Sequence, residues 1–337
     1  MENNSSTSHS RRPFRLGPIW LALGALCAIE GVLSFAPSGY MVNTLRARLT
    51  EIVTREAAPI QIMGDSVSAG IRASVISEQL ESPSTTVSNY SLPGTSPLFA
   101  YCTLQRQLAA GKIPRVIIYA PHPAHLGAPM VERFLGRFAT AREAWEFAQH
   151  ARIGDTLFGA LTRVSYTLRY REELYGVLTQ GDSEFFRTMK KPVDSVAASQ
   201  QEFPEPPEPS AREAFRAEDL PPMLFKPFMA QRDNARYIDA FCDLADAHGI
   251  IVLWVTVPCI PAFQERWANG PDQAAYYAYL DGLAQRHLNL AILHREIEAW
   301  PDRYFGDARH LNRPGAWKFS QHLGVELAAW LKAHPLP

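Results

Sequence analysis

The chain of 337 residues carries 33 basic and 34 acidic side chains, a formal net charge of −1, so no global field recruits nucleic acid or an anionic surface. A hydrophobic content of 47% at this length suffices for one substantial buried core with room for an insertion. The four cysteines (Cys27, Cys102, Cys242, Cys259) have the spacing of neither a zinc site nor a redox pair. Three of them fall outside the N-terminal apolar segment, and they read as small buried apolar residues, with one bridge left open. Metal-ligand spacing, a phosphate loop and a dinucleotide fingerprint are all missing from the sequence, so neither metal nor cofactor is expected.

In chain order, residues 1–15 read as a polar, Ser-rich cytoplasmic tail ending in Arg11, Arg12 and Arg15. An apolar run follows over 16–36, long enough to span a bilayer as a helix of about 20 residues, with Glu30 interrupting it. Basic residues ahead of an apolar run place the N-terminus in the cytoplasm and the body across the inner membrane. The reading is an uncleaved single-pass signal anchor with a periplasmic or otherwise extracytoplasmic body. Pro37 directly after Ser34-Phe35-Ala36 disfavours cleavage, and a cleaved export signal is the alternative. Arg11-Arg12 resembles a twin-arginine signal but is read here as an ordinary positive n-region. Residues 37–57 predict a connecting helix, with Leu45, Leu49, Ile52 and Val53 at helical spacing.

From residue 58 the pattern alternates. Strands are predicted at 58–63, 85–90, 116–120, 250–257 and 288–293, and helices at 69–80, 97–110, 232–248, 274–287 and 315–333. Strand then helix with short links implies an α/β fold with a doubly wound parallel sheet in three layers, occupying 58–337. A helical insertion rich in aromatic residues and arginine interrupts it over 128–190, with a loop expected at Gly154-Asp155. The Pro-rich, acidic stretch 192–222 reads as an exposed loop.

Two short segments carry chemistry. Ile62-Met63-Gly64-Asp65-Ser66-Val67 offers a serine on a sharp turn after a strand, and Asp307-Ala308-Arg309-His310-Leu311-Asn312 offers a carboxylate and an imidazole three residues apart. A serine hydroxyl becomes a useful nucleophile when a base takes its proton and a carboxylate orients that base. Ser66, His310 and Asp307 are therefore the candidate catalytic residues. The bland alternatives are a serine N-cap and a polar loop before a helix whose N-cap is Asn312. Gly94, in Ser91-Leu92-Pro93-Gly94, is either an oxyanion donor or simply a turn residue. His122 or His125, in Tyr119-Ala120-Pro121-His122-Pro123-Ala124-His125, are further candidates to donate to an oxyanion or substrate, or else sit exposed in a proline-shaped loop. Asn89 is a polar residue near the site or a strand terminator, and Asp65 could serve the site or brace its loop.

Gly64-Asp65-Ser66 and Asp307-x-x-His310 resemble the first and last blocks of the SGNH (GDSL) hydrolases. Within that superfamily the chain is similar to extracytoplasmic, membrane-anchored proteins of envelope acylation, of the teichoic-acid D-alanylation and the alginate and cellulose O-acetylation types. The resemblance covers roughly 58–127 and 232–330. It implies an SGNH-like fold and acyl transfer on an envelope or secreted polysaccharide. The activity would be O-acetyltransferase or O-acetylesterase, with a multispanning membrane O-acyltransferase as a partner. Gly94 matches the family's second-block glycine. The third-block asparagine is replaced here by the Pro121-His122-Pro123 segment, which also leaves open a catalytically silent scaffold of a polysaccharide modification or export complex.

Overall fold

The computed structural model describes residues 40–80, 87–127, 135–151, 153–171 and 232–335, with isolated positions between 20 and 31 and at 174, 228 and 230. The tail 1–15, the loop 192–222, most of 16–36 and part of the 128–190 insertion lie outside the described residues.

The body is α/β, built on one five-stranded sheet in which every strand pair is parallel. A first helix, α1 (Tyr40–Thr54), leads to β1 (Ile60–Gly64), α2 (Ala73–Gln79), β2 (Val87–Asn89), α3 (Pro97–Ala109) and β3 (Val116–Ala120). Helix α4 (Pro123–Leu126) follows β3 directly, and the insertion supplies α5 (Ala141–Ala148), α6 (Ile153–Val164) and α7 (Tyr166–Arg169). The fold then resumes with α8 (Arg232–Asp246), β4 (Ile251–Val255), α9 (Pro261–Ala268), α10 (Asp272–Arg286), β5 (Leu290–His294) and α11 (Arg313–Ala333).

Strand order is β2-β1-β3-β4-β5. Right-handed crossovers then send the chain left from β1 through α2 and right from β2 through α3, onto opposite faces. The contacts agree with this. Helix α2 packs against α11, and α3 packs against α8. Both faces of the sheet are covered, which is why β3 (Val-Ile-Ile-Tyr-Ala) is apolar and buried throughout instead of alternating. Trp254 of β4, Phe241 of α8, Tyr276 of α10 and Phe319 of α11 fill the two layers without exposure.

Several predicted boundaries move. The helix expected at 69–80 is split into a 3-10 turn at Ser68–Gly70 and α2, because the residues after Ser66 are drawn into a tight turn. The loop expected at Gly154-Asp155 does not form; both residues lie in the first turn of α6. Helix α9 was not anticipated. Pro261 at its first turn, with Phe263 and Trp267 buried four residues apart, is the sequence signal for it. All four cysteines are free, and Cys102, Cys242 and Cys259 are buried. Among the described residues no helix is long and apolar enough to cross a membrane.

The insertion is fastened to the sheet layers by a fork. Arg106 of α3 donates Nε–H and Nη2–H to the two carboxylate oxygens of Glu143, at 2.7 and 2.6 Å, and also reaches the Phe138 carbonyl. Glu143 in turn closes a capping box with Thr140 at the start of α5. At the other edge, His294 at the end of β5 lies 3.2 Å from the Glu326 carboxylate of α11, which His322 approaches at 3.3 Å. The His294 contact ties α11 to the edge strand.

Candidate active site

The chain leaves β1 and β3 in opposite directions, so the crevice beyond their carboxyl ends is the topological switch point where ligands bind in open α/β sheets. Ser66 follows β1 there. Gly64 closes the strand where a side chain would not fit, since a Cβ on it would lie 2.6 Å from the Ala120 carbonyl oxygen of β3.

Three side chains form one hydrogen-bonded chain. Ser66 Oγ lies 2.9 Å from His310 Nε2, and His310 Nδ1 lies 2.7 Å from Asp307 Oδ2. The other oxygen of Asp307 accepts the backbone N–H groups of Arg309 and His310, both at 2.8 Å. With Nδ1–H given to the carboxylate, His310 presents a bare Nε2 to the serine hydroxyl. Burial opposes the charge on Asp307, yet the His310 hydrogen bond and the two backbone N–H groups hold its carboxyl down to about 2.

Local structure fixes this loop. Asn312 caps α11 by accepting the Gly315 N–H at 3.0 Å, and its amide donates to the Arg303 carbonyl at 2.7 Å. Gly306 N–H donates to the His310 carbonyl, and Phe305 bridges Leu311. The imidazole therefore hangs from a closed turn, clamped to a capped helix.

Asp65 is buried and works as a brace. Its Oδ1 accepts the Val67 N–H at 2.9 Å; its Oδ2 accepts the His122 N–H at 2.9 Å and the His125 Nδ1–H at 2.5 Å. Burial alone would raise its pKa, but the charge and hydrogen bond of His125 and the proximity of His122 bring it down to about 2. One ionised carboxylate thus joins the Ser66 turn to the loop after β3. On the opposite flank, the Leu92 N–H donates to the Gly64 carbonyl at 3.1 Å, and the Thr95 hydroxyl, which donates to the Leu92 carbonyl at 2.7 Å, lies 3.1 Å from the same Gly64 oxygen. The loop carrying Gly94 is pinned to the same segment. Gly94 sits at φ +67°, a conformation that favours glycine.

These pins leave three donors around Ser66 with no protein acceptor among the described residues: the N–H of Ser66, the N–H of Gly94 and Nε2 of His122. The tautomer of His122 is set locally. Its Nδ1 accepts the Ala124 N–H at 3.2 Å, so the ring proton resides on Nε2. Burial, then the neighbouring charge of His125, push its pKa down to about 3 against the opposing pull of Asp65, and the ring stays neutral. Phe263 of α9 packs on that ring at 5.5 Å. His122 can thus offer a neutral N–H donor to a ligand.

Of the two readings of Asn89, the structure shows the one in which it closes the strand end. Its amide donates to the Ser68 and Ile71 carbonyls at 2.9 and 2.7 Å, and its carbonyl accepts the Ser91 N–H at 2.9 Å. It closes the turn after Ser66 from beneath and keeps no group for a ligand. His125 is likewise committed at Nδ1, to Asp65. Sequence reasoning had no signal for these pairings, which join residues more than twenty positions apart or turn on which way a short polar side chain points.

The arrangement can draw the Ser66 hydroxyl proton onto His310, making Oγ more nucleophilic, and can offer the donors of the flanking loops to a developing oxyanion. No family model matches the chain, and no curated protein matches it either.

Proposed function

We propose that the protein transfers an acyl group through Ser66, acting on an envelope or secreted polysaccharide as an O-acetyltransferase or O-acetylesterase of the SGNH type. The observation that carries this reading is the continuous chain from Ser66 Oγ through His310 to Asp307, with its hydrogen-bond lengths of 2.9 and 2.7 Å. His310 takes the serine proton as Oγ adds to the ester carbonyl. The tetrahedral oxyanion accepts hydrogen bonds from the free donors of Ser66, Gly94 and His122. The C–O bond of the leaving alcohol breaks as His310 returns the proton to it, leaving an acyl-serine. Water or a sugar hydroxyl then repeats the sequence in reverse.

The triad lies near the surface, with the Asp307 side chain 53% exposed and His310 30% exposed. An open site suits a polymer, whose length cannot enter a closed cavity. In this reading residues 16–36 anchor the body at the inner membrane, facing outward. A multispanning O-acyltransferase would be the acyl-supplying partner.

The test is intact-protein mass spectrometry of the full chain in detergent after incubation with p-nitrophenyl acetate, beside Ser66→Ala. Acetyl addition mapping to Ser66 and missing in the variant is the expected result. An intact fold that takes up no acetyl and is not labelled by a fluorophosphonate overturns the catalytic reading in favour of a silent scaffold.

A further inference from the structure

Helix α6 is turned inside out. The residues it exposes are Ile153, Gly154, Leu157, Ala160, Leu161 and Val164, none of them polar. They recur at the spacing of one helical face. The four large ones are 82%, 59%, 50% and 80% exposed, in chain order. The inward face is made from small and polar groups instead. Gly159 lies against Leu135, and the Thr162 hydroxyl donates to the Gly159 carbonyl at 2.8 Å. Arg163 donates to the Ala139 carbonyl at 2.7 Å. A helix in water carries the opposite pattern, and a contiguous apolar face of this kind marks a contact surface.

The neighbouring apolar segment indicates what covers it. Glu30 is the only charged residue between Leu16 and Ala36. Its carboxylate accepts the Ser165 Oγ–H and the Tyr166 N–H, both at 2.7 Å, directly after the last residue of α6. The apolar run is thereby attached at the end of the apolar face. The described residues of that run other than Glu30 (Trp20, Gly24, Ala25, Cys27, Ala28, Gly31) are exposed as well. A second copy, or another segment of this chain, seated on α6 would leave the apolar run uncovered. A lipid bilayer covers both.

We infer that α6 lies in the membrane interface, its Ile153–Val164 face sunk into the outer part of the leaflet, with Glu30 hydrogen-bonding the joint where the anchor leaves the bilayer. This rests on the reading that residues 16–36 enter the membrane. Helices of this kind sit with their apolar face about 5–10 Å into the headgroup and acyl boundary. The insertion would then act as a second foot, holding the body in a fixed attitude to the membrane plane.

The test uses the full chain reconstituted in phosphatidylcholine vesicles containing a quarter phosphatidylglycerol, labelled with an NBD fluorophore at one cysteine at a time. Native Cys27 reports on the anchor. Leu157→Cys and Leu161→Cys, in a Cys27→Ser background, report on α6, and Leu288→Cys, 97% exposed on the body, is the aqueous reference. The expected result is blue-shifted emission at 157 and 161, with quenching by shallow nitroxide lipid several-fold stronger than at 288. Quenching at Cys27 with water-like emission at 157 and 161 overturns the inference while the anchor reading stands. Blue-shifted emission at 157 and 161 that nitroxide lipid does not quench assigns the face to protein and also overturns it. No quenching at Cys27 overturns the anchor reading, and the inference with it.

Discussion

At the scale of single residues, His122 presents a neutral ring whose Nε2–H is left without a protein acceptor among the described residues. Its neutrality is set by burial and its donor by the Ala124 N–H, so replacing it separates the two properties. His122→Phe keeps the contact with Phe263 and removes the donor; we expect kcat to fall by ~10²–10³ with KM little changed, the loss associated with one oxyanion donor. Steady-state kinetics with p-nitrophenyl acetate measure this. Asp307→Asn leaves the geometry standing but favours the wrong His310 tautomer, and a ~10⁴-fold drop in kcat is expected in the same assay. The same residues set the response to acid. An unfolded histidine takes a proton near 6.5 and His122 in the fold only near about 3. Between those values the unfolded chain binds the extra proton, so stability contributed by His122 is full above about pH 6.5 and is lost as pH falls toward 3. Asp65 and Asp307, held at about 2 against about 3.9 when unfolded, contribute fully above about pH 4 and lose that contribution as pH falls toward 2. Urea midpoints measured across pH should decline from about 6.5 downward, and His122→Gln should flatten the upper part of that decline.

At the scale of elements, the insertion depends on the fork between Arg106 and Glu143. Removing one partner of a largely buried charge pair leaves the other without compensation. Glu143→Ala should therefore raise amide hydrogen exchange in α5 and α6 while exchange in β1, β3 and β4 stays slow, a split readable by mass spectrometry. Asn312→Ala removes the cap of α11 and should cost ~1 kcal/mol of stability. Elements were legible in the sequence where one force dominated. Strand β3 was placed to the residue, because burial on both faces leaves an unbroken apolar run bounded by Pro114 and Pro121. Helix α6 was interrupted on paper by Gly154-Asp155, which look like a loop but are tolerated in a first helical turn. For Asn89 and Asp65 the sequence left a site role and a structural role both open, for another reason. A short polar side chain near a strand end can face a ligand or a neighbouring carbonyl, and only the packed neighbours decide. Ser66, His310 and Asp307 were legible because each chemistry-bearing type sat in a turn-forming context at a strand or helix boundary.

At the scale of the whole molecule, the sheet order makes Ser66 central. Strand β1 lies between β2 and β3, so the loops carrying Gly94 and His122 flank the serine turn from either side, and both are pinned to Gly64-Asp65. The site is thus a property of three adjacent strand ends more than of any one loop. The imidazole that faces Ser66, however, comes from far along the chain, since His310 lies 244 residues beyond it. At translation rates of 5–20 residues per second, roughly 10–50 s separate the synthesis of the two. Throughout that interval the nascent chain holds Ser66 without the imidazole it faces in the fold. In the proposed acyl transfer an emerging polypeptide would therefore leave the ribosome without its base, and reactivity would wait until the segment before α11 has been made and folded back onto β1.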